Sequence, residues 1–164
     1  MGSPLCVWSA GGRQLPHAAS PERPVLAPAV LRRIVASDGW IARPTSLPSQ
    51  ISEDLAEIRP ALAAAGRDPG TFTVAHENFL HLVPTEDRGR ALAEQQRAYA
   101  AIMGAGRPFE YFEQVYLTGT PPEIVDKLRA RMAIGAEYLI LHTLEPSTRH
   151  LDLWAEHVLP HLEA

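Results

Sequence analysis

Arg149 and His150 stand side by side where the last apolar-periodic segment begins. A cation and the free amides of a helix start can together hold an anion there. His142 closes the apolar run Tyr138-Leu139-Ile140-Leu141-His142. A neutral imidazole at that point can hydrogen-bond a ligand or move a proton; the alternative is a structural histidine satisfied within the fold. His76 and His81 lie five apart, and His157 and His161 flank Pro160. No carboxylate or cysteine spacing completes a site around either pair, so no metal is expected. Ser9 has no nucleophile elbow, and Cys6, the only cysteine, sits in an apolar stretch where burial keeps a thiol inert. Neither predicts covalent catalysis. Glu77, Asn78 and Glu113 read as ordinary polar positions.

The elements that must place these residues alternate. Leu5-Cys6-Val7-Trp8 is a short strand running into Ser9-Ala10-Gly11-Gly12, whose paired glycines permit a tight turn. Val30, Leu31, Ile34 and Val35 form one helical stripe, with Arg32 and Arg33 opposite. Asp38-Gly39-Trp40-Ile41 is a second strand. Ser52 then caps a helix with Leu55, Ile58 and Leu62 facing inward, a bend at Pro60 and a stop at Gly66. Thr71 to Ala75 is a third strand, with a break before Phe79 to Val83. Glu86 to Met103 and Phe109 to Tyr116 are helical. Thr120, Pro121 and Glu123 spell a capping box that opens a helix with a buried stripe of Ile124, Val125, Leu128 and Met132. Tyr138 to His142 lacks polar alternation, as a parallel strand covered on both faces should. Leu151, Trp154, Ala155, Val158 and Leu162 give the final helix its inner face. Four strands separated by helices predict an α/β fold with parallel strands and right-handed crossovers.

The chain has 164 residues, 46% hydrophobic and 21% charged, enough for one domain with a real core. A net charge of −4 with scattered basic residues argues against nucleic acid or anionic membrane and for a small-molecule substrate or a protein partner. The single cysteine, and the lack of a leader or a long apolar segment, predict a reducing cytoplasm. Many of the fifteen prolines cluster at Pro16 to Pro28 and Pro44 to Pro48, marking loops.

Several motifs in this order resemble the C-terminal half of bacterial luciferase-like flavin- or F420-dependent oxidoreductases. They are Val7-Trp8 before Gly11-Gly12, Asp38-Gly39-Trp40-Ile41, Ala65-Gly66-Arg67-Asp68-Pro69, Gly119-Thr120-Pro121-Pro122-Glu123, and Tyr138 to His142 ahead of Val158-Leu159-Pro160. The resemblance implies the last four βα units of a TIM barrel, a fold that normally needs roughly 250 residues. Residues 1–164 would form one luciferase-like half-barrel domain, with a proline-rich insertion at 14–28. It also implies an oxidoreductase or monooxygenase using F420 or FMN, with Gly11, Gly12 and Arg13 at the cofactor phosphate. Arg43 follows the second strand and is a phosphate contact or a solvated loop residue. The barrel places His142 at the C-terminal face, where catalytic groups gather, with Arg149 and His150 on the same face as a substrate or anion contact.

Half a barrel exposes strand edges and an apolar interior, so a second copy or a partner subunit is expected to complete it. The alternative is a cofactor-free, non-catalytic half barrel, a binding or structural subunit or a truncated product.

Overall fold

The computed structural model describes residues 7–12, 26–104, 106, 108–145 and 147–162. Leu5, Cys6, Arg13 and most of the 14–28 insertion lie outside the described residues. Four strands, β1 (Trp8–Ala10), β2 (Gly39–Ala42), β3 (Thr73–Leu80) and β4 (Tyr138–Thr143), form one sheet in the order β1-β2-β3-β4. Helices α1 (Pro28–Val35) and α2 (Pro48–Ala64) follow β1 and β2; α3 (Arg88–Met103), α4 (Phe109–Val115) and α5 (Pro121–Ala133) connect β3 to β4; α6 (Arg149–His157) follows β4. The strands are parallel, with Ala10 opposite Ile41 and Ala42 opposite His76. Sequential parallel strands joined through helices are the α/β repeat expected from the sequence.

Two compact units make up the chain. The first holds residues 7–12 and 26–77 together with 134–140. Ile34, Trp40, Ala42, Ile51, Ile58 and Leu62 are fully buried in its core. The Val30, Leu31, Ile34 and Val35 stripe packs there as its helical spacing requires. Helix α2 begins at Pro48, four residues before Ser52: Pro48 occupies the first turn, where a missing amide costs nothing, and Gln50 Oε1 accepts the Leu47 amide at 2.9 Å. Arg67 donates to the carbonyls of Val35 and Ser37, joining the end of α2 to the end of α1.

The second unit holds 78–133 and 141–162. Strand β3 runs unbroken through Glu77-Asn78 into it. Buried Asn78 donates to the Val115 carbonyl at 2.9 Å and accepts the Leu117 amide at 3.1 Å, so the polar side chain is satisfied by the connection back to the sheet. Phe79, Tyr99, Phe112 and Tyr116 form an aromatic cluster, with Tyr99 and Tyr116 centroids 4.6 Å apart. Both the amide and the hydroxyl of Thr120 donate to Glu123 Oε2, at 2.9 and 3.0 Å. This is the reciprocal half of a capping box, with the hydroxyl turned to the carboxylate. Ile124, Val125 and Leu128 are buried as expected, but Met132 is 47% exposed and Arg131, one residue earlier, takes the inward position.

Among the described residues no helix is long and apolar enough to cross a membrane.

Candidate functional site

In the first unit, chemistry-bearing residues gather at the C-terminal end of the sheet. Gly11 and Gly12 follow β1 with φ of 152° and 147°, a region that side-chain-bearing residues rarely enter. The turn is held from several directions. Gly11 donates its amide to the Ile41 carbonyl at 3.3 Å, and its own carbonyl accepts the Trp40 indole at 2.9 Å. A Cβ on Gly12 would stand 2.9 Å from a carboxylate oxygen of buried Asp54 and 3.7 Å from Ser46 Oγ. A Cβ on Gly11 would lie 3.5 Å from the Arg33 guanidinium.

Arg33 lies on the polar face of α1. Its Nε donates to Ser9 Oγ and its NH2 to the Ala10 carbonyl, both at 2.9 Å, so it pins the end of β1 and puts a cation beside the glycine turn. Arg43 follows β2 at the same end. Its carbonyl accepts from His76 Nε2 at 3.0 Å, which places the His76 proton on Nε2, and from the Ser46 amide at 3.0 Å. The Arg43 side chain is half-buried. The sheet thus brings Gly11, Gly12 and Arg43 together with His76; the fourth cofactor candidate, Arg13, is not among the described residues.

The second unit holds the other candidates. His142, the penultimate residue of β4, is exposed, with its ring 5.4 Å from that of Phe79. Arg149 opens α6 as the sequence implies, but its amide is already taken by Ser147 Oγ at 3.1 Å, and its side chain is exposed. His150 is 2% exposed. Adjacent residues on a helix point about 100° apart, which here sends one outward and the other inward.

His150 meets a group that the sequence did not connect to it. Its Nδ1 accepts the Leu82 amide at 3.4 Å, and its Nε2 lies 3.3 Å from Glu145 Oε2. The ring packs 4.6 Å, centroid to centroid, from that of His81. His81 is also buried, with Nε2 3.8 Å from Glu94 and 3.9 Å from Glu145. Burial, then the neighbouring His150, push the His81 imidazole below its ordinary value, against the opposing pull of Glu145 and Glu94. His81 therefore pairs with a residue far along the chain, not with His76.

Two further cations also escaped the sequence pattern, Lys127 half-buried and Arg131 buried. Lys127, the chain's only lysine, donates to the carbonyls of Glu113 and Tyr116 and to Thr118 Oγ1 at 2.9 Å. Desolvation lowers it to about 8, assisted by Arg131. Arg131, itself lowered to about 10 by burial, donates to the Lys127 carbonyl at 2.7 Å. Arg88 bridges Glu113 and Glu123 nearby.

No family model and no curated protein matches the chain. Solved structures do match it. An F420-dependent secondary alcohol dehydrogenase in complex with an F420-acetone adduct superposes with a TM-score of 0.70 at 12% identity, over 99% of this chain and 50% of that one. An EDTA monooxygenase from Chelativorans sp. BNC1 gives 0.69 at 16% identity, over 98% and 44%. A riboflavin lyase with modified FMN and riboflavin gives 0.56 at 15% identity, over 77% and 38%. The chain spans about half the length of the first of these. In fold it is an α/β half barrel with four parallel strands, similar to between 38% and 50% of each of these larger chains.

Proposed function

We propose that this chain is the C-terminal half of a luciferase-like, flavin- or F420-dependent oxidoreductase or monooxygenase acting on a small molecule, and that residues 1–164 form one half-barrel domain. The observation that carries this reading is the superposition of almost the whole chain on half of an F420-dependent dehydrogenase. The glycine turn supports it, since ligands of parallel α/β sheets bind beyond the carboxyl ends of the strands, where Gly11 and Gly12 sit.

The fit to a cofactor phosphate is one-sided. Arg33 offers a cation at Gly11, whereas the space beside Gly12 is taken by the side chain of buried Asp54. The phosphate therefore belongs on the Arg33 side of the turn, with Arg43 at the adjacent strand end. The bound cofactor would supply hydride transfer or oxygen activation; the first unit's own residues would grip its phosphate end.

Completion of the barrel by a second copy or a partner subunit belongs to the same reading. Its support is the exposure of Tyr138 at 56% and Leu151 at 64%, apolar groups on the closing strand and helix. The alternative is a cofactor-free half barrel.

Titration of the purified protein with F420 and with FMN, followed by fluorescence while solution mass is recorded, separates the two. Saturable binding that weakens at least roughly tenfold in Arg33→Gln, with helicity retained, is expected if Arg33 contributes a charge-assisted contact. Absence of binding by every oligomeric form overturns the cofactor reading.

A further inference from the structure

The geometry points to a divalent-metal site of the zinc class formed by His81, Glu145 and His150. One donor atom from each of the three lies within 4.8 Å of the other two, an arrangement of two imidazoles and a carboxylate. That donor set suits Zn²⁺ in a three-ligand site that keeps a fourth coordination position open. With ligand distances of about 2.0–2.1 Å, tetrahedral coordination separates donor atoms by about 3.4 Å. The His150 Nε2 to Glu145 Oε2 distance is already 3.3 Å and the three donor atoms lie within 4.8 Å of one another, so a small closure seats an ion.

The second observation is independent of spacing. His81 Nδ1 and His150 Nε2 are buried and have no hydrogen-bond partner. Orphaned imidazole nitrogens are costly in an interior, and one on each of two rings packed 4.6 Å apart beside a carboxylate calls for a shared occupant. Glu145, whose side chain is 42% exposed, supplies the path to solvent and the neutralising charge. With His81 ligating through its unpartnered Nδ1, Glu94, 3.8 Å from Nε2, stands as the outer partner.

Ligation has a defined consequence for His150. With Nδ1 accepting the Leu82 amide, the neutral ring carries its proton on Nε2. A metal on Nε2 displaces that proton and leaves Nδ1 protonated, so the 3.4 Å Leu82 contact is given up and the ring turns slightly. This site does not depend on the cofactor reading, and its test contains no F420 or FMN.

The full chain, stripped with a chelator, is titrated with ZnCl2 by calorimetry and with CoCl2 by visible absorption. One ion per chain is expected, and the intense visible band of tetrahedral Co²⁺. His150→Ala and His81→Ala should weaken binding by more than roughly a hundredfold, beyond the loss that an outer-shell partner causes. Because either deletion can disturb folding, Glu145→Gln is the second variant: its partly exposed side chain leaves the fold intact, and binding should fall at least roughly tenfold. His157→Ala, outside the cluster, should bind as the wild type does. No uptake of either ion by the wild type, or uptake undiminished in His150→Ala and Glu145→Gln, overturns the site.

Discussion

Strands β2 and β4 read alike in sequence and differ in their surroundings. Both are short apolar runs suited to the middle of a parallel sheet. In β2, Trp40 and Ala42 are fully buried, and the Trp40 indole is tied to Gly11. In β4, Tyr138 is 56% exposed, Leu139 to Leu141 are only half-buried, and His142 and Thr143 are exposed. Helix α6 repeats the pattern, with Val158 buried just beyond it and Leu151 64% exposed. Apolar periodicity states how much surface an element needs covered. It does not state who covers it.

The two strands differ most at Trp40. Its replacement by alanine removes a fully buried ring and the indole donor that holds the glycine turn, which should cost about 3–5 kcal/mol. The matching change in β4, Tyr138→Ala, loses only an edge contact with Trp8 at 5.5 Å and should cost about 1 kcal/mol. Urea unfolding of the two variants measures both. Equal losses would mean that β4 is covered in solution, and the contrast between the strands would disappear.

Local chemistry explains what was legible. Thr120 and Glu123 cap α5, and Gly66 and Gly135 take φ of 73° and 94° at helix ends, because each signal acts within a few residues of itself. The four-strand parallel order followed from the alternation of elements. The continuity of β3 was not legible, since polar Glu77 and Asn78 interrupt the apolar run, and Asn78 is satisfied only when Val115 and Leu117 come back to it. Nor was the start of α2: Ser52 and Pro48 both carry start signals, and Pro48 with Gln50 prevailed. At the site, the glycine turn was visible as two adjacent residues, whereas its flanking Arg33 and Asp54 were not. The His81, Glu145 and His150 cluster joins two elements distant in sequence, so no spacing rule reaches it.

Lys127 presents the opposite case to β4, a charge covered where apolar groups lie open, and it sharpens the contrast through pH. Burial holds its ammonium at about 8 against an ordinary 10.5. Below about pH 8 both folded and unfolded chains carry the proton, and the burial penalty is fully present. Between about 8 and 10.5 the unfolded chain binds more protons, so stability from this group rises with pH, and above 10.5 the gain is complete. The slope should stay below about 1.4 kcal/mol per pH unit, because the half-exposed amine is partly screened. Urea midpoints of wild type and Lys127→Met across this window isolate the contribution. A variant that keeps the wild-type slope would show that Lys127 titrates normally.

The smallest effect on stability belongs to Leu151, and it bears most directly on what covers the closing strand and helix. A side chain 64% exposed has little burial to lose, so Leu151→Asp should shift the urea midpoint by no more than about 0.5 kcal/mol in dilute protein. If a second copy or partner completes the barrel over β4 and α6, the same substitution buries an unpaired carboxylate in that interface, and association should fall far more than folding does. Sedimentation of wild type and variant over a range of concentrations reads the two quantities apart. An associating wild type and a monomeric, equally stable Leu151→Asp would assign the uncovered apolar surface to a binding partner. Identical sedimentation of the two would place α6 outside any such interface and leave β4 as the edge to examine.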